Sequence, residues 1–300
     1  MNPINRRNFI QSASAALAAA GTIIETNRTF SAEEAGFKTK LKKAVGLGML
    51  PGKMPLLDRL KMAVDVGFQG IEAGTINDPK QVEALKEAAN SAGIEIHSIM
   101  NAIHWDFPFS SPNPDDIDKG MKGMETSLRN AKALGATTVL LVPGVVTPKV
   151  RYADAYTRSQ THIRKLLPLA QELGIIIGIE NVWNNFLLSP LEFARYVDEF
   201  NSPFLKAYFD AGNIVKYGFP QDWIRTLGPR IVKVHIKGYK KLDSGWQWTN
   251  VRDGSIDWPE VRSAFEEIGY NGYMTAELGG GDRDYLADLS QRMDLIIAGK

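Results

Sequence analysis

The chain has no cysteine. That excludes disulfides, a thiolate nucleophile, cysteine-ligated zinc and a lipid anchor attached through a thiol. It also lacks an excess of either charge: the formal net charge is +1 on 300 residues. No broad basic surface is offered to nucleic acid. Any metal centre has to be built from carboxylate and imidazole, a hard donor set that suits Mn, Mg, Co or Zn better than soft-ligand metals. No glycine-rich phosphate loop follows the first strand-like segment, which disfavours a doubly wound nucleotide-binding sheet. What is present is a 44% apolar fraction, enough for a full core and too much for a disordered chain.

The N-terminus reads as a targeting segment. Arg6 and Arg7 precede Phe9 and Ile10, and a run of small residues, mostly alanine, extends from Ser12 to Ile24. A basic start, a mildly apolar stretch and then a polar one is the architecture of a twin-arginine export signal. As a membrane anchor it is too short and too weakly apolar. Residues 1–32 are therefore expected to be an export signal and leader, cut between Gly21 and Glu34, with the mature protein in the periplasm. Three arginines and one glutamate fall within residues 1–31, so their removal takes the formal charge from +1 to −1.

From Lys43 onward short β-branched runs alternate with longer amphipathic ones. Eight candidate strands are Ala44–Gly48, Gly70–Ala73, Ile94–Met100, Thr137–Val142, Ile175–Glu180, Leu205–Phe209, Ile231–Ile236 and Tyr273–Glu277. Their near-continuous apolar character fits strands covered on both faces. The intervening segments carry helix signals. Leu56, Leu60, Ala63 and Val64 make one apolar face; Ile163, Leu166, Leu167, Ala170 and Leu173 make another, in a helix that Pro168 is expected to kink. Ser189-Pro190-Leu191-Glu192 and Asp257-Trp258-Pro259-Glu260 are helix starts. Gly67, Gly93, Gly135, Gly174 and Gly269 each close a helix before the next strand. The expectation is an α/β protein whose residues 40–300 form one (β/α)8 TIM barrel.

Chemistry gathers at the strand ends. Four successive strands, the fifth to the eighth, run out into Glu180, Asp210, His235 and Glu277. In a barrel those C-terminal ends ring the face that carries the active site. Three carboxylates in one mouth repel and raise one another's pKa. One divalent cation resolves this and leaves coordination positions open. Singly, a strand-end carboxylate is more often a helix cap, and a lone histidine more often a packed core residue; the joint placement on consecutive strands is what points to metal.

The pieces Gly70-Ile71-Glu72, Gly178-Ile179-Glu180-Asn181, Phe209-Asp210-Ala211-Gly212-Asn213, Val234-His235-Ile236-Lys237 and Gly254-Ser255-Ile256-Asp257-Trp258, with Ile268–Tyr273 leading into Glu277, resemble the sugar phosphate isomerase/epimerase branch of the xylose isomerase-like barrels. The resemblance runs from about Lys43 to Leu295. It implies Glu180, Asp210, His235 and Glu277 as ligands of one Mn, Mg, Co or Zn ion, and Glu180 with Glu277 as the acid/base pair. The implied activity is isomerisation or epimerisation of a sugar-like small molecule, a keto sugar or cyclitol, by proton transfer through an enediolate. The same metal and bases would serve a lyase, dehydratase or hydrolase on keto-sugars or keto-glycosides, and a non-catalytic carbohydrate-binding barrel is the third alternative.

Candidate substrate contacts are His104, Trp105, Asn181, Trp183, Asn213 and Lys237, with Trp246 and Trp248 as further stacking candidates. Phe107 and Phe109 sit in the same long loop as His104, which reads as a lid or wall. His97 and His162 read as packing and helix residues, and Glu72 as a supporting group. Two departures from the 3-epimerase pattern stand out: Asn213 occupies a position usually held by histidine, and Phe186–Leu188 replaces a region with a further glutamate. No histidine follows His235, so the three-metal site of related endonucleases is absent. Expected partners are the twin-arginine export machinery and a small sugar-like substrate, with no nucleic acid and no stable membrane anchor; a homo-oligomer is compatible with the sequence.

Overall fold

The structure, a computed structural model, describes residues 36–300. The leader assigned to residues 1–32 lies outside the described residues. Eight parallel strands close a barrel in the order β1-β10-β7-β6-β5-β4-β3-β2. They are β1 (Leu41–Gly46), β2 (Gly70–Gly74), β3 (Glu95–Met100), β4 (Thr138–Leu141), β5 (Ile176–Glu180), β6 (Leu205–Asp210), β7 (Ile231–Ile236) and β10 (Gly272–Ala276). The (β/α)8 barrel expected from the strand–helix alternation is the fold observed. Between β7 and β10, β8 (Gly238–Leu242) and β9 (Gly245–Thr249) pair as an antiparallel hairpin outside the barrel.

Around the strands run α1 (Leu56–Asp65), α2 (Pro79–Ala92), α3 (Pro114–Leu134), α4 (Tyr152–Leu173), α5 (Pro190–Asp198), α6 (Ala211–Ile214), α7 (Pro220–Leu227), α8 (Trp258–Glu267) and α9 (Arg283–Ile297). The expected starts hold: Ser189 Oγ accepts from Glu192 N at 3.2 Å and the Asp257 carboxylate from Glu260 N at 3.1 Å. Gly93, Gly135 and Gly174 terminate their helices at φ 72°, 77° and 70°, a left-handed turn that a Cβ would strain.

Two local readings change. The first strand begins at Leu41 instead of Ala44, because Lys43 is buried: its amine meets Asp294 Oδ1 at 2.7 Å and Ser290 Oγ at 2.8 Å. A paired lysine can therefore occupy a strand interior that the hydropathy pattern disallows. Val64 is exposed while Met62 is buried, so the buried face of α1 is rotated from the expected stripe.

The two buried faces of the barrel strands differ. Ala207, Phe209, Val234, Ile236, Met274 and Ala276 belong to the apolar core. Their alternates Tyr208, Asp210, His235 and Thr275 are equally buried but polar, as strand periodicity places them on the opposite face, in the bore. Tyr208 on β6 reaches Glu72 on β2, the strand diametrically opposite, at 2.7 Å. The helix-facing side supplies the hydrophobic stabilisation, and the bore is free to carry chemistry.

Candidate metal and substrate site

Glu180 ends β5, Asp210 ends β6, His235 lies one residue from the end of β7, and Glu277 follows β10. These are four adjacent strands of the closed barrel. One ligand atom from each of the four residues falls within 4.8 Å of the others. His235 Nδ1 is 2.9 Å from Glu180 Oε1, 3.4 Å from Glu277 Oε2 and 4.0 Å from Asp210 Oδ2. Asp210 Oδ1 caps the short α6 by accepting from Asn213 N at 2.8 Å. Its other oxygen, Oδ2, is buried and lacks an aligned hydrogen bond, although Lys237 Nζ sits beside it at 2.8 Å. An ion pair without hydrogen-bond alignment leaves that lone pair available to a cation.

The histidine is held from behind. Glu72, on β2, takes hydrogen bonds from Ser98 Oγ at 2.8 Å and Tyr208 OH at 2.7 Å, and its second oxygen lies 2.6 Å from His235 Nε2. With Glu72 acting as acceptor throughout, Nε2 carries a proton and Nδ1 is the ring nitrogen turned to the other three donors. Carboxylate–histidine–metal relays use this arrangement to fix ring orientation and tautomer. The donor set, three carboxylate oxygens and one imidazole nitrogen, fits a divalent ion of the Mn, Mg, Co or Zn type.

The charges of the cluster are strongly perturbed. Burial pushes Glu180 up to about 7, the hydrogen bond with His235 opposing and the neighbouring Glu277 and Asp210 adding to the rise. Asp210 is likewise raised by burial, with Lys237 opposing. Burial works against the charged form of His235, yet Glu72, Tyr208, Glu277 and the bond to Glu180 together carry its pKa well above the usual imidazole range. Glu277 also suffers burial, but His235 and Lys237 hold it well below the usual carboxylate range. The cluster thus contains one carboxyl that retains a proton near neutrality and one that does not.

A pocket of about 200 Å³ opens above the cluster, lined by Met100, His104, Trp105, Glu180, Val182, Trp183, Asn213, Lys237, Trp248 and Glu277. Five of the six expected substrate contacts are among these residues. Asn181 is the exception: its amide donates to Asp210 O at 2.8 Å and accepts from Asp210 N at 2.9 Å, clamping the ends of β5 and β6. Asn213 does both jobs, lining the pocket while its Nδ2 donates to Asn181 O at 3.0 Å. Lys237 bridges Asp210 and Glu277, with Nζ 2.5 Å from Glu277 Oε2. Its stem passes so close to Gly212 that a Cβ there would lie 2.3 Å from Lys237 Cγ.

His104 is buried and accepts from Val142 N at 3.4 Å through Nδ1. Its Nε2 therefore carries the proton. Burial brings its pKa down to about 4, opposed by Glu277, so it is a neutral donor at physiological pH. Phe109 packs in the core and does not wall the pocket. Phe186 and Leu187 are buried too, Phe186 against Tyr152 and Tyr196 at ring distances of 5.2 and 5.6 Å. The segment that departs from the 3-epimerase pattern is thus an aromatic packing element, turned away from the pocket.

Sequence reading missed the β8–β9 hairpin. The alternation Tyr239-Lys240-Lys241 and Trp246-Gln247-Trp248 around Asp243-Ser244-Gly245 is the signal that could have found it. The hairpin sets Trp248 in the pocket wall, stacked on Trp183 at 4.8 Å and 26°. Trp183 Nε1 in turn donates to Asn213 O at 2.9 Å. His97 is a packing residue as expected, stacked on Tyr273 at 4.3 Å.

The sequence profile of the family described as "Xylose isomerase-like TIM barrel" matches residues 60–294. The 2-oxo-tetronate isomerase of Pectobacterium atrosepticum is 29% identical over 250 residues, 79% of this chain and 91% of its own. The L-ribulose-5-phosphate 3-epimerase UlaE of Escherichia coli O1:K1 / APEC is 20% identical over 279 residues, 86% of this chain and 96% of its own. Among solved structures, a D-tagatose 3-epimerase-like protein superposes with a TM-score of 0.72 at 20% identity, covering 86% of this chain and 98% of its own. That likeness establishes the fold.

Proposed function

This chain belongs to the xylose isomerase-like TIM barrel family, and from that premise we propose that it is a metal-dependent isomerase or epimerase of an unphosphorylated keto sugar or cyclitol. The observation that carries the reading is the pair Glu180 and Glu277. They stand three strands apart around the barrel, flank the same His235 Nδ1 and face one pocket. Proton transfer beside a carbonyl needs one group to remove a proton and another to return one. Two carboxyls whose surroundings push their pKa values in opposite directions are suited to that division.

Glu180, Asp210, His235 through Nδ1, and Glu277 would hold a divalent ion, which supplies polarisation of the substrate carbonyl and an offset for negative charge on its oxygen. Around the reacting carbon, His104 offers a neutral N–H and Lys237 an ammonium to substrate oxygens, while Asn213 can recognise a hydroxyl. Trp105, Trp183 and Trp248 exclude water from the ring face. The absence of phosphate from the proposed substrate is supported by the lining: it contains no arginine, and its one lysine is already committed to Asp210 and Glu277.

Residues 1–32 are proposed to deliver the folded enzyme to the periplasm through the twin-arginine machinery. Replacing Arg6 and Arg7 with lysine is expected to retain it in the cytoplasmic fraction; an unchanged periplasmic yield would overturn that assignment.

Incubation of metal-loaded protein with ketoses, inososes and keto-glycosides in deuterated water tests the reaction. Deuterium is expected beside the carbonyl, with the carbon skeleton intact. Loss of water or of a leaving group would instead assign the same carboxylates to elimination. Absence of exchange on every substrate would refute the proposal.

A further inference from the structure

We infer that the substrate is a glycoside, with its keto-sugar ring in the pocket and its second ring, a sugar or an aryl aglycone, stacked on the indoles of the β8–β9 hairpin. This rests on the reading of the pocket as the proton-transfer site. The pocket holds about 200 Å³, below the roughly 300–1,000 Å³ common for ligand pockets. It accommodates little more than one ring. Apolar recognition surface nevertheless continues beyond it.

Trp105 and Trp248 are 50% and 43% exposed although both line the pocket. They rise from the loops after β3 and β7, which are diametrically opposite strands, so they flank the mouth from two sides. Outward from Trp248 the ring contacts are continuous, through Tyr239, which is itself buried. Trp248 contacts Tyr239 at 4.5 Å, and Tyr239 lies parallel to Trp246 at 5.0 Å and 3°. Trp246 is two residues from Trp248 on the same hairpin face, about 7 Å along the strand. One face of its indole is covered by Tyr239, and the residue remains 38% exposed.

Leaving several large aromatic rings in water at the rim of one pocket has no folding rationale, since each could bury its area elsewhere. The C–H face of a pyranose or an aryl ring is the complementary surface, apolar and flat, with hydroxyls at its edge. The hairpin also brings a donor for those hydroxyls on the same face: Lys241, paired with Trp246 across the hairpin, has its Nζ 6.0 Å from the Trp246 ring centroid. Trp248 is itself packed by Trp183 and Tyr239, with Lys237 Nζ 5.2 Å from its ring centroid, so the open stacking face belongs to Trp246.

Tryptophan fluorescence titration of the Mg²⁺-supplemented protein tests the inference. The probes are D-glucose, D-galactose and D-fructose, their 6-phosphates, their methyl and phenyl glycosides, cellobiose and lactose. For at least one sugar, the phenyl glycoside or disaccharide is expected to bind about tenfold tighter than the free sugar. Trp246→Ala should remove most of that ratio and Trp246→Phe should keep it, with both variants melting within a few degrees of the parent. Equal affinities, tightest binding by a phosphate ester, no binding by any probe, or a ratio unchanged in Trp246→Ala would each overturn it. Deuterium exchange on the ring-ketone forms of those glycosides, whose carbonyl acidifies the adjacent C–H, separates the two claims. Binding without exchange refutes the proton-transfer reading and leaves the platform. Exchange on free ketoses with no glycoside preference does the reverse.

Discussion

The floor and the rim of the pocket are built on opposite principles. The floor is a set of buried charges on barrel strands: Asp210 and His235 have no exposed surface, and every nitrogen of His235 faces a carboxylate. The rim is a set of half-exposed indoles outside the barrel, Trp105 in the segment after β3 and Trp248 on the β8–β9 hairpin above all. Buried charges are expensive to leave unpaired and so fix geometry tightly. Exposed aromatics are cheap to rearrange and supply contact area with little directionality. Under the proposed function, reaction belongs to the floor and substrate choice to the rim, on elements that can vary independently.

The comparison breaks most visibly if the floor carboxylates are dispensable. Glu277→Gln and Glu180→Gln are each expected to lower the deuterium-exchange rate about 10³-fold, the scale of losing a general acid or base. A loss below tenfold in both would remove the proton-transfer assignment.

The next effect concerns the step between floor and rim, where His104 stays neutral by burial. Its folded pKa, about 4, lies below its unfolded value near 6.5. The unfolded chain therefore binds this proton first as pH falls. The stabilisation is complete above pH 6.5 and is lost between 6.5 and 4, amounting to about 3 kcal/mol. Denaturant titrations at pH 7.5 and 4.5 should show the His104→Asn variant losing less stability over that interval than the parent. Equal losses would mean that the imidazole is protonated without cost.

Behind the floor, Glu72 orients His235 without reaching the pocket. Glu72→Gln is expected to weaken Mn²⁺ or Co²⁺ binding by about 10- to 100-fold, as losing a ligand's supporting carboxylate does. Isothermal titration calorimetry reads it directly. An unchanged affinity would make Glu72 a packing residue.

The smallest effect belongs to the rim. Trp248→Ala should raise KM by about tenfold or less, with kcat changed far less, since one stacked ring is worth roughly 0.5–1.5 kcal/mol beyond its area. A collapse of kcat with KM unchanged would place Trp248 on the reaction side and erase the distinction.

These four tests also trace what could be read before the structure. Glu180, Asp210, His235 and Glu277 were legible because each interrupts an apolar strand at a fixed place, its end. Lys43 misled because its partners, Ser290 and Asp294, are about 250 residues away in sequence. Asn181 has the composition of a hydroxyl-recognising residue and the position of a pocket residue, yet both its amide groups are spent on the Asp210 backbone. The hairpin escaped because its alternation is short and its charged positions read as a solvated loop.

Local periodicity, helix starts and strand-end polarity depend on neighbours a few residues apart, so the sequence by itself determined the barrel, its order and the four converging strand-end side chains. The identity of partners across the bore depends on the closure of the sheet. Glu72 meets His235 from 163 residues away, and Trp105 and Trp248 line one pocket only because β3 and β7 belong to one closed ring. Hydrogen bonding and stacking act over a few ångströms of space with no regard for chain distance. The tautomer of the histidine, the turn of Asn181 and the aromatic rim were therefore decided by the tertiary structure alone.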